Sequence, residues 1–335
     1  MPKFFGFGVS APPTVRERVA LEGRAARLEM AAPSVRVAND GFKTMQQTLG
    51  VQAFRLRSGY VFGERGASSG VSDLRQPPSA ECPPAGSLVR SRGGLLRFHL
   101  LALAEAQFRV REGARASSND RPLVPVSSGD TGWTDLFASD ARTTTDKRLY
   151  VRAQDKRLRA IKQALDSLEA SRLVVLPNRG RGAGKHEGFL LTDETASRLP
   201  DAEPLPYRVP RRDASFSLPM SFITNGWVHL LEDTEIAVLL MVACGRGSIA
   251  SGAVAIPSDV RVLNYGIGRD RFESHRWLER FGLITVEGVD RDIDGKAIDF
   301  ETKGASLHRL RLRREAFDTD GLTVVSGALK TRLAR

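Results

Sequence analysis

The sequence predicts an α+β, mainly helical fold: two consecutive modules, each of three helices closed by a β-hairpin, behind a partly disordered N-terminal arm. Three observations predict it. Apolar residues recur at helical spacing within 86–200 and again within 215–325, and a period of 3.6 marks one buried helix face. Each block then gives way to short β-rich stretches around a glycine-containing turn, the pattern of a hairpin. Finally, SLEASRLVVL at 167–176 aligns without gaps on WLERFGLITV at 277–286, so both modules pass from helix to strand in the same way.

In chain order, residues 1–85 are the arm, punctuated by Pro12, Pro13, Pro33, Pro77, Pro78, Pro83 and Pro84, with a Gly/Ser cluster from Ala67 to Ser72. One helix is expected there, Thr14 to Ala31, with Thr14 as cap and Glu17 completing a capping box. The first module spans 86–200. Leu96, Leu100, Leu103 and Ala104 share a face of a helix over Gly94 to Phe108, and Asp130 to Ala138 forms a short helix. A long helix from Gln154 to Ser171 leads into strands at Leu173 to Leu176 and Phe189 to Thr192, around a glycine-rich turn. Residues 201–214 are a proline-rich linker.

The second module, 215–325, repeats the plan. Its helices are Glu232 to Cys244, Pro257 to Tyr265 and Gly268 to Phe281, the last stopped by Gly282. Asp233 and Thr234 cap the first, and Pro257 suits the first turn of the second. A strand from Leu283 to Glu287, a turn at Asp294-Gly295 and a returning strand from Ser306 to Arg313 follow. Residues 326–335 are a tail.

This order resembles the winged helix-turn-helix superfamily, whose members often carry Leu-Glu-x-x-Gly-Leu-Ile at the end of the third helix. Gly282-Leu283-Ile284 fits that signature, whereas Arg172 stands where the first module would have glycine, so a different helix end is expected there. The segment Phe216 to Ala243, with its Leu-Pro, Gly-Trp and Leu spacing, is similar to actinobacterial plasmid or phage replication and regulatory proteins. The resemblance implies two tandem winged-helix domains that bind DNA, in transcription regulation or replication initiation.

Charge agrees with a polyanionic partner. The net charge is +11, divided as +4 over 1–85, +7 over 86–200 (20 Lys+Arg against 13 Asp+Glu) and zero over 201–335. A high-GC genome would also enrich arginine, so the distribution says more than the total. In this fold the third helix enters the major groove. On a helical wheel Leu158, Ile161, Leu165 and Leu168 face inward, leaving Arg152, Lys156, Arg159 and Gln163 on the opposite side. Arg and Lys suit guanine edges and Gln suits adenine. Arg179, Arg181 and Lys185 in the glycine-rich wing suit a phosphate rail or a narrow minor groove. Gly184-Lys185 is not a phosphate-binding loop, since Arg179 replaces the required glycine and His186 the Ser or Thr.

In the second module Ser274, Trp277, Leu278 and Phe281 are expected inward. Arg269, Phe272, His275, Arg276 and Arg280 are expected outward, with Phe272 packed on the short helix or touching a thymine methyl. Arg309, Arg311 and Arg313 alternate with His308, Leu310 and Leu312 along the returning strand, and are further DNA-contact candidates. Asp290, Asp292, Asp294, Asp299 and Glu301 make this wing acidic, so it is expected to turn from DNA or meet a protein.

Other readings are weaker. The histidines His99, His186, His229, His275 and His308 are scattered, read as surface or helix residues, and show no metal spacing; no nucleophile elbow is present. No cofactor, metal or enzymatic activity is therefore expected, a cryptic nuclease being the enzymatic alternative. Cys82 and Cys244 are far apart and fit a reducing, cytoplasmic setting, with Cys244 as a core thiol. No membrane span is expected; the longest apolar run is Ile236 to Cys244. The expected partner is double-stranded DNA. The rival is a protein-interaction module acting through the second domain or the arm.

Overall fold

The molecule is α+β and mainly helical, with short antiparallel strand pairs. The computed structural model describes residues 12–64, 77–91, 94–127, 129–146, 149–195, 203–250, 252–287 and 307–335. The acidic wing residues Asp290, Asp292, Asp294, Asp299 and Glu301 and the Gly/Ser cluster near 67–72 lie outside them.

Thr14 starts the first helix as expected, its Oγ1 accepting the Glu17 N–H at 3.2 Å. The helix, α1 (Val15–Leu49), does not stop at Ala31. It passes through Pro33 because Leu21 and Leu28 before the proline, and Val35, Ala38 and Phe42 after it, are buried on one face. Burying a large apolar side chain is worth roughly 1.5–3 kcal/mol, so these together outweigh the ~3 kcal/mol cost of an interior proline. The helix ends at Gly50, φ 64°, whose N–H returns to Gln46 O at 2.8 Å. Residues 15–49, expected to belong to an arm, are thus a spine of the core.

Short elements β1 (Ala53–Leu56), α2 (Ser58–Val61) and α3 (Pro84–Leu88) follow. The next unit comprises α4 (Leu95–Arg109), α5 (Trp133–Leu136), the hairpin β2 (Thr144–Asp146) and β3 (Leu149–Val151), then α6 (Ala153–Ala170), β4 (Val174–Val175) and β5 (Leu190–Leu191). α4 is buried nearly all round. Phe98 on α4 packs against Trp133, Phe137 and Phe189, which ties helix, short helix and hairpin together.

The expected linker is not free. Tyr207 is fully buried and Val209 nearly so. Tyr207 N–H donates to Leu191 O and Val209 N–H to Ala114 O, both at 3.0 Å. Pro204, Pro206 and Pro210 hold the segment extended, which suits an edge strand.

The chain continues through β6 (Phe216–Pro219), α7 (Ser221–Thr224), α8 (Trp227–Leu230), α9 (Asp233–Cys244), α10 (Ser258–Tyr265), α11 (Arg269–Phe272), α12 (His275–Arg280), β7 (Ile284–Glu287) and β8 (Arg309–Leu312). β6 pairs antiparallel with β1, Ala53 opposite Pro219 and Leu56 opposite Phe216. β7 pairs with β8, and Val254 adds a bridge to Leu310. Residues 326–333 of the expected tail belong to α13 (Gly321–Leu333). Its Leu329 is buried, and Arg332 reaches Glu17 of α1 at 2.8 Å.

One apolar cluster runs from α1 through both blocks to α13. A buried ion pair crosses it: Arg24 of α1 meets Glu235 of α9 at 2.6 Å, with side chains 8% and 2% exposed. The Arg24 guanidinium also lies over the rings of Trp277 and Phe281.

Candidate nucleic-acid interface

α6 is built as an amphipathic rod. The Asp155 carboxylate accepts the Arg152 N–H at 3.2 Å and closes its N-terminus. Ile161, Ala164, Leu165 and Leu168 are buried, and Leu158 is half-buried against the same core. Arg152, Arg159 and Gln163 are exposed on the other side. Lys156 is half-buried, its Nζ 2.5 Å from Thr144 Oγ1. Arg157 fastens the helix to α5 through Thr134 O at 2.8 Å.

The hairpin β2–β3 is an element beyond those the sequence pattern predicts. It directly precedes α6, with Thr145 opposite Tyr150, and Tyr150 is 64% exposed. The run Thr143-Thr144-Thr145 followed by Leu149, Tyr150 and Val151 carries the β-rich signal that would have found it.

The loop between β4 and β5, expected to be the first wing, is less open than its charge implies. Arg179 pairs with Glu169 at 2.8 Å and Lys185 with Asp166 at 2.7 Å; both carboxylates sit on the last turns of α6. His186 joins Asp166 at 3.0 Å. Burial alone would raise the Asp166 carboxyl, but hydrogen bonds from Lys185 and His186 outweigh it and hold the group below its ordinary value. Of the three expected wing cations only Arg181 is exposed without an ion pair to a described residue. The sequence reading missed this because Asp166 and Glu169, three residues apart, share a helix face that meets the wing only in three dimensions.

The two helix-to-strand turns have one geometry. Arg172 adopts φ 61° and its aligned partner Gly282 φ 74°. Leu173 N–H donates to Leu168 O, and Leu283 N–H to Leu278 O, each at 2.9 Å. Arg172 N–H reaches Glu169 O and Gly282 N–H reaches Glu279 O, again at 2.9 Å each. This is the paired bonding of a Schellman helix end. The expectation of a different end at Arg172 is therefore corrected: the arginine takes the backbone conformation of the glycine.

A single helical wheel fails in the second block. The expected third helix is broken at Glu273 and Ser274 into α11 and α12, which shifts the phase between them. His275, expected outward, is buried at 6% exposure and stacked on Phe272 at 4.6 Å. Phe272 packs under the Arg261 guanidinium of α10 at 4.0 Å, so it rests on the short helix. Arg280 is half-buried over Trp277. Arg269 and Arg276 are exposed, but Arg276 pairs with Glu273 at 2.9 Å. On β8 Arg309, Arg311 and Arg313 are exposed and Leu310 is buried, the expected alternation. Arg311 pairs with Glu287 and Arg313 with Glu315.

Buried polar groups were also missed. Glu194, 0% exposed at its side chain, accepts from Arg57 N–H and the Arg57 guanidinium. Burial pushes it up to about 7 against the lowering by Arg57. His99 and His229, read as surface or helix residues, are buried within α4 and α8, and burial pushes each down to about 3. Cys244 is only part-buried. Among the described residues no group of His, Cys, Asp and Glu could hold a metal ion, and no helix is long and apolar enough to cross a membrane.

No protein-family model matches this chain, and neither the curated proteins nor the solved structures yield a match.

Proposed function

We propose that this chain is a sequence-specific double-stranded DNA-binding protein built from two winged helix-turn-helix units, working by binding rather than catalysis. The observation that carries the reading is the exposed Arg152, Arg159 and Gln163 face of α6, opposite a buried apolar stripe. Arginine and glutamine are the side chains that match guanine and adenine edges in the major groove. The order α4, α5, α6, β4, β5, with the hairpin β2–β3 inserted before α6, supports the first unit. The order α9, Val254 bridge, α10, α11 with α12, β7, β8 supports the second. The shared helix end at Arg172 and Gly282 supports their relation to each other. Its biological setting is transcription control or replication initiation.

Genomic fragments retained by the protein, identified by sequencing, supply the target. Arg152→Ala, Lys156→Ala and Arg159→Ala together are expected to abolish specific retardation of that target. Undiminished specific binding by the triple variant would overturn the assignment of α6 as the reading helix.

A second reading concerns the second unit alone. Arg276, Arg311 and Arg313 are engaged by carboxylates within the fold, which favours a protein-contacting role for it within a nucleoprotein complex. A partner recovered with the chain after nuclease treatment supports that role, and loss of every partner counts against it.

A further inference from the structure

The segment joining the two units and the stretch 111–115 of the first unit, which it pairs with, carry a second basic surface outside α6 and its wing. Arg111, Arg115, Arg208, Arg211 and Arg212 are all exposed, and none of them pairs with a carboxylate of a described residue. Of the two acids that line the groove beside Arg211 and Arg212, Glu112 is held by Arg55 at 2.5 Å and Asp213 has no ion pair with a described residue.

The geometry is fixed by the backbone. Arg115 and Arg208 face each other across an antiparallel bridge. Their neighbours Ala116 and Tyr207 are buried on the opposite side. Gly113 N–H donates to Val209 O at 2.8 Å and Ala116 N–H to Tyr207 O at 3.0 Å. Arg208 Nη1 lies 3.4 Å from Gly113 O. The Arg211 side chain crosses Gly113, where a Cβ would stand 2.9 Å from Arg211 Nε at φ 77°. Two guanidinium groups, of Arg208 and Arg211, thus meet at Gly113, and Arg115 stands opposite Arg208 on a frame anchored by a buried tyrosine.

Like charges directly opposite on paired strands destabilise the pair. Here no counter-charge within the described fold relieves Arg115 against Arg208. Guanidinium forks match phosphate oxygens geometrically. We infer that this surface is a phosphate-backbone contact for the same duplex that α6 reads, adding affinity without sequence discrimination. The inference rests on the DNA-binding reading above.

The test is the salt dependence of binding by the full chain. Each phosphate neutralised on B-DNA contributes ~0.9 to the slope of log K against log salt. The fourfold variant Arg115→Gln, Arg208→Gln, Arg211→Gln and Arg212→Gln is expected to lower that slope by about 3–4. Its preference for the selected target over random duplex is expected to stay unchanged. The corresponding fourfold Lys variant is expected to keep the slope. An unaltered slope in the Gln variant, while the Arg152, Lys156 and Arg159 variant loses specific binding, overturns the patch and leaves the DNA reading standing. Loss of slope in the Gln and Lys variants alike assigns the effect to altered structure and also overturns it. Absence of any duplex binding by the unaltered chain overturns both.

Discussion

At the scale of single residues, Arg172 and Gly282 perform one task with different chemistry. A non-glycine residue in the left-handed region costs roughly 1–2 kcal/mol, and glycine gives back part of that through its freer unfolded chain. At Gly282 the nearest atom to an added Cβ is Arg313 Nη1 at 3.9 Å, so space is no obstacle. Gly282→Ala is therefore expected to lose about 1 kcal/mol from backbone strain alone. Arg172→Gly is expected to be neutral or to gain up to about 1 kcal/mol. Urea denaturation of the two variants checks this; a large loss in Arg172→Gly would mean that the side chain, not the backbone, holds the turn. The residue scale is also where sequence reading was least complete. The alignment located this turn to the residue, but took the arginine as a sign of different geometry. Side-chain identity alone does not report φ.

At the scale of elements, much was legible wherever periodicity was local. α4, α6, α9 and α10 lie close to the expected ranges, and the alternation on β8 follows its burial. What failed depended on distant partners. β1 and β6 each have four residues, and they exist as strands only because they pair with each other across the chain. α1 runs past the expected end at Ala31 because the core buries residues on both sides of Pro33, which local sequence does not show. The outward face of α6 was readable, while the pairing of its wing with Asp166 and Glu169 was not. The clearest test at this scale is the pair joining α1 to α9. Arg24→Ala leaves Glu235 buried without its cation, and breaking such a pair costs roughly 3–5 kcal/mol. Adding Glu235→Gln is expected to recover part of that loss in a double-mutant cycle; no recovery would show that Arg24 acts through its packing on Trp277 and Phe281 instead.

For the whole molecule, stability depends on groups that must stay neutral inside one continuous core. His229 is buried, and neither of its ring nitrogens has a hydrogen-bond partner among the described residues. Burial lowers it from 6.5 to about 3. A base depressed in the folded state binds its proton first in the unfolded chain. Stability is then full above pH 6.5 and falls as pH drops toward 3. His229→Gln removes this one proton. Between pH 7 and pH 5 the variant is expected to lose about 2 kcal/mol less than the unaltered chain. Parallel unfolding curves at the two pH values measure it, and equal losses would place the acid sensitivity elsewhere.

The length of α1 has a consequence beyond folding. Its 35 residues extend about 52 Å at ~1.5 Å per residue. That is longer than the ~34–36 Å of one DNA helical turn. α1 contacts α4 and α5 of the first unit and, through Arg24, α9 of the second. If the proposed DNA-binding reading holds, a continuous helix packed on both units makes the protein a caliper. In the DNA-binding reading, it is the protein that dictates one separation and one rotational phase between the two half-sites, leaving the spacing of a target operator no more adjustable than its bases.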